Sequence, residues 1–327
     1  MRPLVVLTGQ GISRADGFDL ERELRGAIEE EVRRCFDLPR DSGTLDDVFS
    51  AARRHSMQYL EALVRATRRT CIAARESGVH AHHREVFGAL RDAAANRVVM
   101  HVTTNIDGIA TTVAVKVFGA VWRPVERYGE EIPIADIRRD VLEVFAAGSG
   151  QLHLPVHGEA GLAAVKGLPE WEGAQRLVQT GLQHDTAYST LAQGIGQTVR
   201  EIETLMAVSG LGYGLLASLL VGTVADVDRM IGPYPPADLV TIGYGAGATD
   251  GRLAYPFERR LREARQRGFS PQGSRWLALV YRGDSEDADS PAIERTAGWY
   301  DEARFEVRRY GKDELGAAAR AAIASVS

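Results

Sequence analysis

Leu4-Val5-Val6-Leu7-Thr8-Gly9-Gln10-Gly11-Ile12-Ser13 opens the chain with four apolar residues that run directly into a pair of glycines. A short unbroken apolar run marks a strand buried on both faces of a parallel sheet, because such a strand has no solvent side to be polar. Working outward, Arg97 to Thr104 and Asp238 to Gly243 read as further buried strands, Gln151 to Gly158 as a short strand closed by a turn, and Trp276 to Tyr281 and Arg304 to Arg309 as later strands. Between these runs the pattern turns helical, from Leu20 to about Ala74, from His82 to Ala95, from Pro256 to Arg267, and in the alanine-rich tail. Ala114 to Val125 alternates less cleanly and is expected to form one or two further strands. Strand alternating with helix implies an α/β fold with a doubly wound parallel sheet. The expected organisation is a single domain over residues 1–327, with helical insertions at about 20–80 and 159–236.

Composition narrows the function. The chain has 327 residues, 45% hydrophobic and 25% charged, which is ordinary globular composition. A net charge of -5 supplies no positive field for phosphate backbones or anionic lipid, so nucleic acid is not an expected direct partner. Two cysteines, Cys35 and Cys71, are too few for a disulfide framework and too far apart for a Cys-x-x-Cys metal half-site. With an opening apolar run too short for a signal-peptide core, the expected location is cytoplasmic. Leu205 to Ala225 is uncharged over 21 residues and long enough to cross a bilayer, but it contains Gly210, Gly212, Gly214 and Gly222 and is expected to be core.

Four places can carry chemistry. Gly9 and Gly11, with Ile12 and Ser13 behind them, stand where backbone N–H groups and a helix start approach a pyrophosphate. As a dinucleotide fingerprint the loop is incomplete, since Arg14 holds the third glycine position. Thr103-Thr104-Asn105-Ile106-Asp107 ends a buried strand, where an Asn amide both donates and accepts and an Asp accepts from a carboxamide or hydroxyl. His157-Gly158 ends another, and histidine suits proton abstraction near neutral pH. His153 is its rival on the same strand face, and His157 is preferred for the glycine beside it. Last comes Gly243-Tyr244-Gly245, a second glycine-rich strand end. Alone, the two glycine loops and the Asn105–Asp107 turn are as well explained by tight turns, and a lone histidine is more often a surface or hydrogen-bonded core residue.

Their order is more telling. Thr8-Gly9-Gln10-Gly11-Ile12-Ser13, Thr103-Thr104-Asn105-Ile106-Asp107, His157-Gly158 and Gly243-Tyr244-Gly245 together resemble the sirtuin family, with its Gly-Ala-Gly-Ile-Ser, Thr-Gln-Asn-Ile-Asp, His-Gly and Gly-Thr-Ser motifs. The resemblance covers nearly the whole chain and implies a Rossmann-like sheet. The departures are informative. Glu159 to Pro236 lacks the cysteines of the family's zinc module, the Asp-Phe-Arg loop survives only as a possible match at Arg22, and Thr104 replaces Gln. These losses resemble the zinc-free, sirtuin-like NAD hydrolases of bacterial antiphage defence.

On that resemblance NAD is the substrate and no metal is needed. The pyrophosphate is expected on Gly9, Gly11, Ile12 and Ser13, the adenosine side near Gly243 and Gly245, and the carboxamide on Asp107. Asn105 orients a ribose hydroxyl or the attacking water. His157 is the general base, a role typically contributing about 10² to 10⁴ in rate. The products are nicotinamide and ADP-ribose. A core filling the chain leaves no sensor domain, so control is expected from self-assembly into a homo-oligomer or from a separately encoded protein, an ATPase or nuclease. Two other readings stand beside this one: a protein deacylase or ADP-ribosyltransferase without zinc, and a non-catalytic subunit that binds NAD or ADP-ribose. The pair Arg53-Arg54 and the triplet Arg65, Arg68, Arg69 are expected to be solvated helix faces, and the two cysteines to be packing residues.

Overall fold

The computed structural model describes residues 1–38, 65–66, 69–105, 107–119, 144, 147–155, 224–225, 230–231, 235–244, 262–281 and 304–326. Its strands are β1 (Leu4–Thr8), β2 (Val98–Thr103), β3 (Gly150–Pro155), β4 (Val224–Ala225), β5 (Met230–Ile231), β6 (Asp238–Ile242), β7 (Arg275–Tyr281) and β8 (Arg304–Tyr310). The helices that matter below are α1 (Gln10–Ala15), α2 (Leu20–Cys35), α3 (Ala81–Ala94), α4 (Ile109–Phe118) and α5 (Leu315–Val326).

Six strands form one parallel sheet in the order β3-β2-β1-β6-β7-β8, while β4 and β5 pair apart as a small antiparallel ribbon. The sheet therefore grows outward from β1 in both directions, and the progression reverses between β1 and β6. In open α/β sheets ligands bind outside the carboxyl ends of the strands at such a reversal. This is the Rossmann-like order that the alternating pattern implies.

The register places Val6 beside His101 and His101 beside His153. Leu4, Val6, Val99, Val240, Ile242, Leu277 and Leu279 thus share one sheet face, packed into one core with Val86, Phe87 and Leu90 of α3, Ile109 and Val113 of α4, and Ala319 and Ile323 of α5. The opposite face, with Val5, Met100, Val102 and Trp276, is buried as well. Burial on both faces explains why β1, β2, β6 and β7 are mostly apolar rather than alternating, while the edge strand β8 carries the exposed Glu306 and Arg309. At the amino edge of the sheet Arg97, 1% exposed, donates to the Val326 carbonyl at 2.9 Å and pairs with Asp238 at 3.3 Å. The Asp238 carboxylate also accepts the Arg275 amide at 2.9 Å, so the starts of β2, β6 and β7 and the end of α5 meet there.

One expectation is corrected, and a second lies mostly outside the described residues. Residues 114–118, expected as strand, are the second half of α4. The run Thr111, Thr112, Val113, Val115, Val117 is rich in β-branched residues, which favour strands. Tertiary burial of Ile109, Ala110, Val113 and Ala114 on one helical face overrides that preference, and the Asp107 carboxylate starts the helix by accepting the Ile109 amide at 2.9 Å. Within 159–236, expected as mainly helical, β4 and β5 are strands, and residues 159–223 lie outside the described residues. Of the uncharged stretch 205–225 only Val224 and Ala225 are described, and no described helix is long and apolar enough to cross a membrane.

Candidate functional site

The carboxyl ends of β1, β2 and β6 carry Gly9, Asn105 and Gly243 side by side. Gly9 donates its amide to the Ile242 carbonyl at 3.0 Å, and Gly11 donates to the Gly243 carbonyl at 2.9 Å. The two loops cross at backbone contact. A Cβ on Gly9 would lie 2.6 Å from the Gly243 oxygen, one on Gly11 2.6 Å from the Gly243 Cα, and one on Gly243 2.7 Å from the Gly11 Cα. Gly243 also sits at φ +58, in the left-handed region that glycine occupies without penalty. These three glycines thus have a structural reason that involves no ligand, and the Gly9 and Gly11 amides expected to hold a pyrophosphate are given to the protein's own carbonyls. Ile12, expected beside that phosphate, is fully buried in the core.

Beneath the crossing lies a buried polar network. Ser13, fully buried on α1, donates its hydroxyl to Asp107 Oδ2 at 2.7 Å and accepts from Asn105 Nδ2 at 3.0 Å. The same Asn105 nitrogen donates to the Gly9 carbonyl at 3.3 Å. Since a backbone carbonyl only accepts, the amide is fixed with its nitrogen inward, and its carbonyl oxygen is the atom left for a hydroxyl or water. Asp107, fully buried, spends Oδ1 on the Ile109 amide and Oδ2 on Ser13. As an acceptor with both oxygens engaged it anchors Ser13, and through Ser13 it holds Asn105.

The sequence reading missed a second network directly below. Thr8 Oγ1 lies 3.0 Å from His101 Nε2, His101 Nδ1 lies 2.8 Å from His153 Nδ1, and His153 Nε2 lies 2.7 Å from Thr111 Oγ1. Both histidines are 2% exposed, their rings nearly parallel at 9°, with the Phe87 ring against them. Burial, followed by the charges of His153 and His83, pushes the His101 imidazole well below its ordinary value, so it is neutral. A single proton bridges the facing Nδ1 atoms. If His101 supplies it, Thr8 donates to His101 and His153 donates to Thr111; if His153 supplies it, both outer bonds reverse. His153, the rival to His157, is therefore a buried hydrogen-bonded residue of the strand.

A third pair joins α1 to α3. Asp16 Oδ2 lies 2.6 Å from His83 Nδ1, and the Asp16 carboxylate accepts the His82 amide at 2.8 Å, capping α3 from a distant part of the chain. Burial alone would raise the Asp16 carboxyl, but the His83 hydrogen bond and charge with two amide bonds outweigh it and hold it below its usual value.

The structure thus brings together Gly9, Gly11, Ile12, Ser13, Asn105, Asp107 and Gly243. His157, Gly158 and Gly245 lie outside the described residues. His101 had a signal that went unused: a histidine inside an apolar run needs a buried partner, and His153 occupies the matching position of the next parallel strand. Among the described residues no three His, Cys, Asp or Glu side chains gather as a metal site. Arg65 and Arg69, expected as a solvated face, keep side chains 40% and 53% exposed while reaching the nearly buried Glu31, and Arg53, Arg54 and Arg68 lie outside the described residues. Cys71 is fully buried, in keeping with a packing role. The chain matches no protein-family model and no curated protein.

Proposed function

We propose that this chain is a sirtuin-like NAD hydrolase that works without zinc and releases nicotinamide and ADP-ribose. The observation that supports the reading most is the inward-locked Asn105 amide at the switch point, held by Ser13, Asp107 and the Gly9 carbonyl. Its free carbonyl oxygen is a fixed acceptor at the place where such sheets bind nucleotides. Fixed acceptors lower a barrier because they are oriented before the reaction begins.

In the proposed reaction the bond between ribose and nicotinamide breaks, nicotinamide leaves as a neutral molecule, and water adds to the same ribose carbon. Asn105 orients that water or the neighbouring ribose hydroxyl. His157 takes the proton the water gives up. Asp107 acts from beneath, keeping Ser13 and hence Asn105 in one orientation. The physiological role we propose is an effector of antiphage defence, held silent until the chain assembles with itself or with a separately encoded partner.

One observation favours a second reading. The Gly9 and Gly11 amides are spent on Ile242 and Gly243, which suits a subunit that binds NAD or ADP-ribose by other groups and does not turn it over. Nicotinamide release from NAD by the purified chain, with no peptide present, separates the two. The hydrolase reading expects release by the wild type and a fall of about 10²-fold or more in Asn105→Ala and in His157→Ala. Binding of ADP-ribose without any release, alone or with its encoded neighbour added, would establish the binding subunit instead.

A further inference from the structure

Four of the buried side-chain nitrogens left without a partner among the described residues belong to Arg75, His80, His82 and His83, at the entry to α3. His80 Nε2 lies 3.3 Å from the Arg75 backbone carbonyl, and the His80 and His83 rings meet edge to face at 6.2 Å. His80 is 2% exposed and His83 fully buried. Arg75 lies against the site just described. Its Nη1 is 3.0 Å and its Cδ 3.1 Å from where a Cβ on Gly108 would stand, and Gly108, at φ +72, links Asp107 to α4. The guanidinium therefore packs on the turn that carries Asp107, in space that only a glycine leaves open.

A guanidinium with a buried nitrogen is ordinarily paired with a carboxylate, because a charge removed from water needs a partner; Arg75 is partly buried, with its Nη1 on the buried side. Arg97, the fully buried arginine of the described core, is paired in that way with Asp238. Arg75 Nη1 has no hydrogen-bond partner, and Asp107, the nearest carboxylate in sequence to the turn, accepts from the Ile109 amide and the Ser13 hydroxyl rather than from Arg75. The missing counter-charge fits an anion from outside the protein. It would also resolve the commitment of the Gly9 and Gly11 amides, since the phosphate needs another donor.

We propose that Arg75 binds a phosphate oxygen of the nucleotide, taking at the edge of the Asn105, Ser13 and Asp107 network the role that a glycine loop fills in other dinucleotide folds. The proposal deepens the NAD reading and rests on it for the identity of the ligand. The planar fork of arginine suits two phosphate oxygens at once, which a lysine does not reproduce.

The test is binding of inorganic pyrophosphate, ADP-ribose and uncharged adenosine by the full chain, read by calorimetry or by ligand-induced rise in melting temperature. Arg75→Met keeps the aliphatic stem on Gly108 and removes the charge; Arg75→Lys keeps a charge without the fork. Pyrophosphate and ADP-ribose should bind about tenfold to a hundredfold more weakly to Arg75→Met, with Arg75→Lys between it and the wild type, while adenosine is unaffected. Equal binding of pyrophosphate and ADP-ribose by wild type and Arg75→Met would overturn the assignment, as would a wild type that binds neither. Wild type that binds pyrophosphate through Arg75 yet never cleaves NAD would sink the hydrolase reading alone. NAD cleavage with an unchanged KM in Arg75→Met would sink this inference alone.

Discussion

His101 shows how much one side chain constrains. Its imidazole is neutral in the folded protein because burial and the neighbouring His153 and His83 charges oppose protonation, while the unfolded chain binds a proton at about 6.5. Below that pH the unfolded state takes up a proton that the native state refuses, so stability falls as pH drops from about 6.5 toward the depressed folded value. The slope for one proton is about 1.4 kcal/mol per pH unit. Melting temperature measured between pH 8 and pH 5 should show this decline, and His101→Gln should flatten it while lowering stability at pH 8, because Thr8 and His153 lose their partner. At this scale the sequence was partly legible. Asn105, Ser13 and Asp107 stood out as types suited to a strand end, yet their mutual bonds depend on α1 and β2 meeting in space. Arg75 was invisible, because an arginine in a helical stretch carries no mark of losing its counter-charge.

Among elements, β1, β2, β6 and β7 were readable because a strand buried on both faces writes an apolar run into the chain. Helix α4 was not, since its β-branched residues point to strand and only packing against α3 and β3 decides otherwise. The loop behind β1 was read as a ligand cradle, and its glycines prove to be spent on the crossing with the loop behind β6. That crossing can be tested by Gly11→Ala. A methyl group there meets the Gly243 Cα at 2.6 Å, so the loops must separate and the Gly11 to Gly243 hydrogen bond must break. Chemical denaturation should show a loss of about 1–3 kcal/mol, the size typical of overpacking. A variant as stable as the wild type would mean that the loops have room to part.

At the scale of the molecule, the amino edge of the sheet is fastened by Arg97 and its ligands, the carboxyl edge by the glycine crossing. Removing the guanidinium leaves Asp238 buried without its charge partner, so Arg97→Met should cost about 3–5 kcal/mol in unfolding free energy. Because Arg97 sits at the far end of β2 from Asn105, the nucleotide binding that the proposed function expects should be unchanged at temperatures where the variant stays folded. The doubly wound order was legible from the alternation of patterns, whereas the pairing of β1 with β6 was not, since nothing local in the sequence says which later strand returns to the first. That pairing sets a timetable. Thr8 and Ile242 are register partners although most of the chain lies between them, and a contact so distant closes late because its loop entropy is paid before it gains anything. A ribosome that has made Ser13, Asn105 and Asp107 has made no finished site, since Gly243, which receives the Gly11 amide, has yet to be synthesised. The crossing at the switch point is completed only when the second half of the sheet docks, so on the proposed function a nascent or truncated chain should bind nucleotide poorly.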